Sequence, residues 1–454
     1  MSAPTNASNE RTSESTADPS EGGGFFRTVL SVLRRWFFGA IRRTRDWWSD
    51  TRRTLTEYVG SYWGRVRGGD IGSLPAITGL IVLCGVFSVL RPVFFSARNF
   101  ANLTTQGAAV TLIAMGLVFV LLTNEIDLSA GFASGVCAAV LAIALTTFGL
   151  PWYVAVLAAL VTGAAIGLAL GVLVAKVKIP SFVVTLAAFL AFQGVVLMLL
   201  KEGTNISIRD HVVVSINNGY VPPLVGWGLA VLTVAGFAAA QLWQRRGRQS
   251  QGLEAEPLAL VLLRVGGLAV LLGAAVFVLN LERSRNAVIT SLKGMPYAVP
   301  LVAILLIVGT FVLRRTAFGR HLYAVGGNRE AALRAGINVD RVKILAFVIC
   351  STMAAAGGIV AASEARSVDP NTGGSNVLLY AVGSAVIGGT SLFGGKGRVV
   401  NAVIGGTVVA VIINGMGLLG LSSGVKYVVT GSVLLLAAGV DALSRRRATA
   451  TGNR

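Results

Sequence analysis

The side chains of this chain that could carry chemistry are few and scattered. Glu125 and Asp127 stand two residues apart beside an apolar run, Glu364 lies near the end of another, and His211 and His321 fall in polar connecting segments. An ion-coupled carrier needs a titratable relay at membrane depth, and an intramembrane enzyme needs a nucleophile with its base or a metal set. The sequence has no H-E-x-x-H and no Cys/His cluster. Its cysteines, Cys84, Cys137 and Cys350, all sit inside apolar windows, where they behave as small hydrophobes and form no disulfide framework. The segment from Gly388 to Gly397 is rich in glycine but lacks the G-x-x-x-x-G-K-[ST] order that cradles phosphate. No catalytic, cofactor-binding or metal-binding residue is therefore expected. Glu125 and Asp127 fit two readings: functional groups at the membrane interior, or groups that cap the next helix or pair with a cytoplasmic Arg.

The elements that must position these groups are apolar. Hydrophobic residues make up 54% of 454 positions and charged ones 13%, against roughly a quarter charged in an ordinary soluble domain. Windows of about 20 apolar residues, enough to cross some 30 Å of hydrocarbon, recur from Leu74 almost to the C-terminus. The expected fold is an all-α polytopic membrane protein of about twelve spans, approximately 74–90, 107–123, 131–148, 152–174, 182–200, 225–243, 258–279, 297–313, 344–363, 377–390, 399–419 and 427–442. The net charge of +19 is explained by Lys and Arg at helix ends under the positive-inside rule, so no nucleic acid is expected as a partner. With twelve spans, the arginine-rich N-terminal arm, Lys176 with Lys178, Arg245–Arg248, 314–343, Lys396 with Arg398, and Arg445–Arg447 all fall on one side. Both termini are then cytoplasmic in a multi-pass protein of the cell membrane.

Residues 1–24 are polar and expected to be disordered. Residues 25–70 interleave aromatics with arginines, with Phe26, Leu30, Leu33, Phe37 and Ile41 at helical spacing, and read as an amphipathic cytoplasmic helix region at the lipid headgroups. The membrane domain covers 71–443, and 444–454 form a basic cytoplasmic tail.

Within the soluble stretch 314–343, Asn328 suits a helix cap, Glu330 the positive helix N-terminus, Arg334 the C-terminus, and Gly336 a left-handed stop. So short a helix is marginal alone and is expected to dock on something. Ala331, Ala332 and Ala335 would let a partner surface approach closely. A plain solvated loop is the other reading of the residues alone. Gly388–Gly397 is expected to make a tight turn near the cytoplasmic face. Thr111, Gln193, Asn401 and Asn414 are polar positions within spans, able to line a path for a hydroxyl-rich solute or to bond between helices.

Four blocks in order carry a resemblance. They are Ile126-Asp127-Leu128-Ser129 with Gly131; Lys178-Ile179-Pro180-Ser181-Phe182-Val183-Val184-Thr185-Leu186; Gly326-Gly327-Asn328 with Ala331-Ala332 and Gly336-Ile337; and Ile387-Gly388-Gly389-Thr390-Ser391-Leu392 with Gly394-Gly395 and Gly397, followed by Asn414-Gly415. Together they resemble the permease subunits of ribose/xylose-type ABC importers over roughly Pro75 to Ala442. The hydrophobic pair between Val225 and Leu279 is similar to what the xylose-type members carry. The chain departs from the pattern where Asn124 and Glu125 replace two glycines common among relatives, which puts a tight backbone approach there in question.

The resemblance implies a transport subunit without catalytic activity, importing a monosaccharide such as xylose. It implies a homodimer working with separate ATPase subunits, which bind ATP and magnesium, and with an extracytoplasmic sugar-binding protein. Gly326, Gly327, Asn328, Glu330, Ala331, Ala332, Ala335, Gly336 and Ile337 would form the coupling helix against the ATPase. Candidates for the path or gate are Asn124, Glu125, Asp127, Ser129, Thr185, Gln193, Asn401 and Asn414. The competing expectations are an ABC permease for branched-chain amino acids or nucleosides, and an ion-coupled secondary transporter.

Overall fold

A computed structural model describes residues 72–200, 204–253, 256–284 and 291–450, with Gly60 and Gly64. The expected disordered tail and basic amphipathic arm lie outside the described residues, apart from those two glycines. Residues 64–255 and 261–454 form one compact unit, which holds the site described below; residues 1–63 and 256–260 are grouped as a second.

Beyond Ser73 the chain is helical almost throughout. The elements are α1 (Leu74–Leu90), a 3-10 turn (Pro92–Phe95), α2 (Ala97–Leu122), α3 (Ala130–Thr146), α4 (Trp152–Ala175), α5 (Ser181–Leu200), β1 (Ile206–Ser207), α6 (His211–Asn218), β2 (Tyr220–Val221), α7 (Pro223–Ser250) and α8 (Leu258–Asn280). They continue with β3 (Met295–Pro296), α9 (Ala298–Arg315), α10 (Ala317–Gly327), α11 (Arg329–Arg334), α12 (Val339–Ala365), β4 (Ser367–Val368), α13 (Ser375–Ile387), α14 (Val399–Leu418) and α15 (Ser423–Ala450). The strands are two-residue antiparallel pairs, β1 with β4 and β2 with β3. Among the described residues, eight helices are long and apolar enough to cross a membrane, and α1, α3 and most of α13 form shorter apolar helices. The protein is thus an all-α polytopic membrane protein, and each expected apolar window falls on a helix.

Burial divides the helices into an inner and an outer set. The most apolar windows of α2 and α14 are 78% and 72% buried within the chain, whereas those of α7, α8 and α9 are 11% buried. A helix apolar on all sides and covered by protein is a core element. One equally apolar but bare suits a hydrocarbon solvent. The centre is α12, which packs most extensively on α4 and then on α2 and α3.

Close approach on the α4 side depends on glycine. Gly163, Gly167 and Gly171 repeat every four residues along one face of α4. A β-carbon at Gly163 would sit 2.6 Å from the Ser351 carbonyl oxygen, and one at Gly171 would sit 2.8 Å from the Ile344 Cα. Small residues at this spacing let two helix backbones meet, which matters in a bilayer because helix association there gains little from the hydrophobic effect. The repeat is plain in the sequence as a small-residue packing signal.

α2 joins the two ends of the bundle. Near its start, Asn217 of α6 donates its side-chain amide to the Thr105 carbonyl. Near its finish, the Leu122 carbonyl accepts from the Gly395 backbone N–H. The separation between the two residues corresponds to about 25 Å of helix.

Candidate functional site

At the Leu122 end, α11 is built by its own local chemistry. The Asn328 side-chain oxygen accepts from the Ala331 N–H at 3.0 Å, capping one end. At the other end the Ile337 N–H reaches the Ala332 carbonyl and the Gly336 N–H reaches the Leu333 carbonyl, with Gly336 at φ +77°. This is the paired closure in which glycine at the left-handed position satisfies the last carbonyls of a helix. Glu330 and Arg334 approach to 4.0 Å but are both more than four-fifths exposed, so their pairing adds little.

A six-residue helix is still too short to stand alone in water. Two features anchor it. Ala332 is 3% exposed and belongs to the chain's main apolar core. Ahead of it, α10 forms where the sequence reading had placed no helix. Thr316 caps α10 by accepting from the Gly319 N–H at 3.1 Å, and Gly319, Leu322 and Val325 are buried at three-residue spacing. That periodic stripe was the available signal. The expectation that Ala332 meets a partner is therefore corrected, because this methyl faces inward. Gly327, Asn328, Arg329, Glu330, Ala331, Leu333, Arg334, Ala335 and Gly336 are exposed, while Gly326 and Ile337 are half-buried. Leu333, an exposed apolar side chain on this face, was missed by sequence reasoning.

The blocks that lie far apart in sequence meet beneath α11. A β-carbon on Gly326 would run into the Leu122 carbonyl oxygen and would lie 2.7 Å from the Gly395 nitrogen. One on Gly394 would lie 2.9 Å from both the Asn124 Cβ and the Gly326 carbonyl oxygen. The Tyr323 hydroxyl donates to the Gly397 carbonyl at 2.7 Å. The glycine-rich turn after α13 thus wedges between the end of α2 and the end of α10. Its glycines serve close packing at this junction, and Gly389, Gly394 and Gly395 also have positive φ.

Asn124 resolves the departure noted in the sequence. It sits at φ +62°, where the Glu125 N–H bonds the Val120 carbonyl and the Asn124 N–H bonds the Leu121 carbonyl. This is the same helix closure found after α11, with asparagine, the residue that best tolerates the left-handed region after glycine, in glycine's place. The tight approach survives because Gly394 supplies the missing space from the opposite side.

The loop that follows is held on both flanks. The Ser181 hydroxyl accepts from the Ile126 N–H at 3.3 Å, and the Thr185 hydroxyl donates to the Ile126 carbonyl at 3.2 Å. Asp127, with no exposed surface, accepts from the Ser129 N–H at 2.9 Å and from its hydroxyl at 2.6 Å. Cys350 of α12 places its thiol 3.5 Å from the other Asp127 oxygen. Glu125 forms an ion pair with Lys343 of α12. Asp127 thus holds Ser129, the residue that precedes α3, and Glu125 pairs with a lysine of α12 where the sequence had suggested an arginine.

Of the path candidates, the structure thus gathers Asn124, Glu125, Asp127, Ser129 and Thr185 at one end. Of the other three, only Asn401 lies near that end. Gln193 is exposed on α5. Asn401 is buried near the start of α14, where its backbone blocks any side chain at Gly388. Asn414, 7% exposed near the far end of α14, donates to Gln106 of α2 at 3.1 Å.

A family model described as the permease component of branched-chain amino acid transport systems matches residues 99–438. The chain belongs to this family of transport permeases. The permease is 36% identical to the xylose transport system permease protein of Haemophilus influenzae over 372 residues, which cover 82% of this chain and 96% of that one. It is 38% identical to the xylose transport system permease protein of Escherichia coli K12, covering 78% of this chain and 87% of the other. Against the ribose import permease protein of the same strain it is 31% identical, covering 81% and 92%. These relatives accord with the ribose/xylose-type resemblance read from the four motif blocks. No solved structure matches.

Proposed function

We propose that this permease is the membrane-spanning subunit of an ATP-driven importer for a monosaccharide, xylose or a related pentose. Separate ATPase subunits would bind ATP and magnesium on the cytoplasmic side, and an extracytoplasmic sugar-binding protein would deliver the solute to a homodimer of this chain. The supporting observation is the junction itself: α11 offers an exposed face and buries Ala332 in the core, while Gly326 just ahead of it is keyed into the end of α2 and the glycine-rich turn. A push on α11 would therefore reach the bundle core without passing through a flexible loop.

Twelve spans with both termini cytoplasmic go with this reading. Arg314, Arg315, Lys396, Arg398, Lys176 and Lys178 belong to segments at the α11 end, as positive-inside placement of that end requires. Residues 1–24 and 25–70 would be a cytoplasmic tail and a headgroup-bound arm. Asn414 with Gln106, and Thr111, would contribute to the path through the inner helices. The family description names branched-chain amino acids, whereas the relatives cited above name xylose and ribose, and the proposal follows those relatives.

The test is reconstitution of the chain in liposomes with its ATPase and binding-protein partners, measuring uptake of labelled xylose, ribose and leucine. ATP-dependent sugar uptake is expected. Uptake of leucine alone would transfer the chain to the amino-acid branch, and uptake driven by a proton or sodium gradient without ATP would refute the importer reading altogether.

A further inference from the structure

The geometry points to the Glu125–Lys343 ion pair as the link through which movement of α11 reaches the loop between α2 and α3, making both residues positioning residues for transport. The inference rests on the reading of α11 as the coupling element and goes further by naming where its motion is delivered.

Four residues, 335–338, separate α11 from α12, and they leave little slack. Gly336 and Ile337 are bonded back onto α11, and the Asn338 side chain accepts from the Arg341 N–H at 3.0 Å to cap α12. Lys343 stands on the second turn of α12, so a displacement of α11 carries its ammonium group along. Glu125 occupies the other side of the contact, immediately after the left-handed Asn124 that ends α2. The loop it begins runs only to Ser129 before α3 starts.

The pair is well placed to transmit force. The side chains of Lys343 and Glu125 are 10% and 14% exposed, whereas the Arg334 and Glu330 side chains on α11 are 83% and 84% exposed. A pair so enclosed is weakly screened by water and salt, and losing one member strands the other charge. The same two elements meet again at Cys350 and Asp127, seven residues or about 10 Å farther along α12. The loop is therefore gripped at two points by the helix that follows α11. Glycine at position 125 would provide neither charge nor reach. The link is a feature of this chain's own residues.

The complete transporter, reconstituted with its ATPase and binding protein, should be assayed for labelled xylose uptake and ATP hydrolysis in the same vesicles. Glu125→Gln and Lys343→Met are each expected to lower sugar imported per ATP hydrolysed at least tenfold while the complex still assembles and hydrolyses ATP. The charge-exchanged double variant E125K/K343E is expected to recover that ratio to within about threefold of the wild type. If either single variant fails to assemble, Glu125→Asp and Lys343→Arg replace them, with intermediate ratios expected. Ratios unchanged in the single variants, or an exchanged variant no better than the singles, would overturn the link. Absence of ATP-driven uptake in the wild type would instead count against the importer reading, so the two failures are distinguishable.

Discussion

Gly326 and Leu122 touch backbone to backbone: there is no room for a side chain at 326 between the end of α10 and the last carbonyl of α2. The neighbouring Gly327 has open space in the direction of a β-carbon. Adjacent residues of one glycine pair therefore make opposite demands. Gly326→Ala should destabilise the junction by about 1–3 kcal/mol, the usual cost of overpacking, and reduce uptake. Gly327→Ala should leave both near the wild-type level. Thermal unfolding in detergent together with uptake in vesicles checks the contrast.

The α4–α12 contact predicts a second pair. Gly167→Ala would push a methyl group against the Phe347 carbonyl and the backbone of Val348, whereas Gly194 of α5 has nothing within reach. The first substitution should lower the unfolding temperature by several degrees and the second should leave it unchanged, as read by fluorescence-detected size exclusion after heating.

On α11, Leu333 is 52% exposed and Ala332 is 3% exposed. Leu333→Asp should weaken ATPase association about tenfold, measured by co-purification or surface-immobilised binding, while leaving the chain's own stability intact. Ala332→Leu should act the other way round, destabilising the chain by overfilling its core before any partner is involved.

Asn124 at φ +62° predicts a conformational test. Asn124→Gly should be tolerated because glycine adopts this backbone freely, and Asn124→Val should cost about 1–2 kcal/mol because a β-branched residue does not. Thermal denaturation of the two variants distinguishes them.

At the opposite end, the Glu282 carboxylate accepts from the Ser291 hydroxyl and from the Ser284, Leu292 and Arg283 N–H groups, and these bonds hold its pKa down to about 2. A carboxylate depressed in the folded state contributes stability that is complete above its ordinary value, near 4.5, and is lost as the pH falls toward 2. The protection of the Leu292 amide relative to its intrinsic exchange rate should fall across that window in the wild type, and Glu282→Gln should remove that change in protection.

The amino-acid sequence by itself determined the elements that depend on neighbours along the chain. Apolar windows located the helices because a span must be continuous, and Asn328 and Gly336 marked the ends of α11 because capping is a contact across three or four residues. The α10 stripe and the α4 glycine repeat are equally local patterns. Only the tertiary structure decided which face of α11 turns inward, and that Gly326, Leu122 and Gly394 interlock. It alone joined Glu125 to Lys343, 218 residues away. The reason is physical. Periodicity records that a face will be covered, but a buried ion pair or a backbone contact exists only where two distant segments meet, and no local pattern specifies the distant partner.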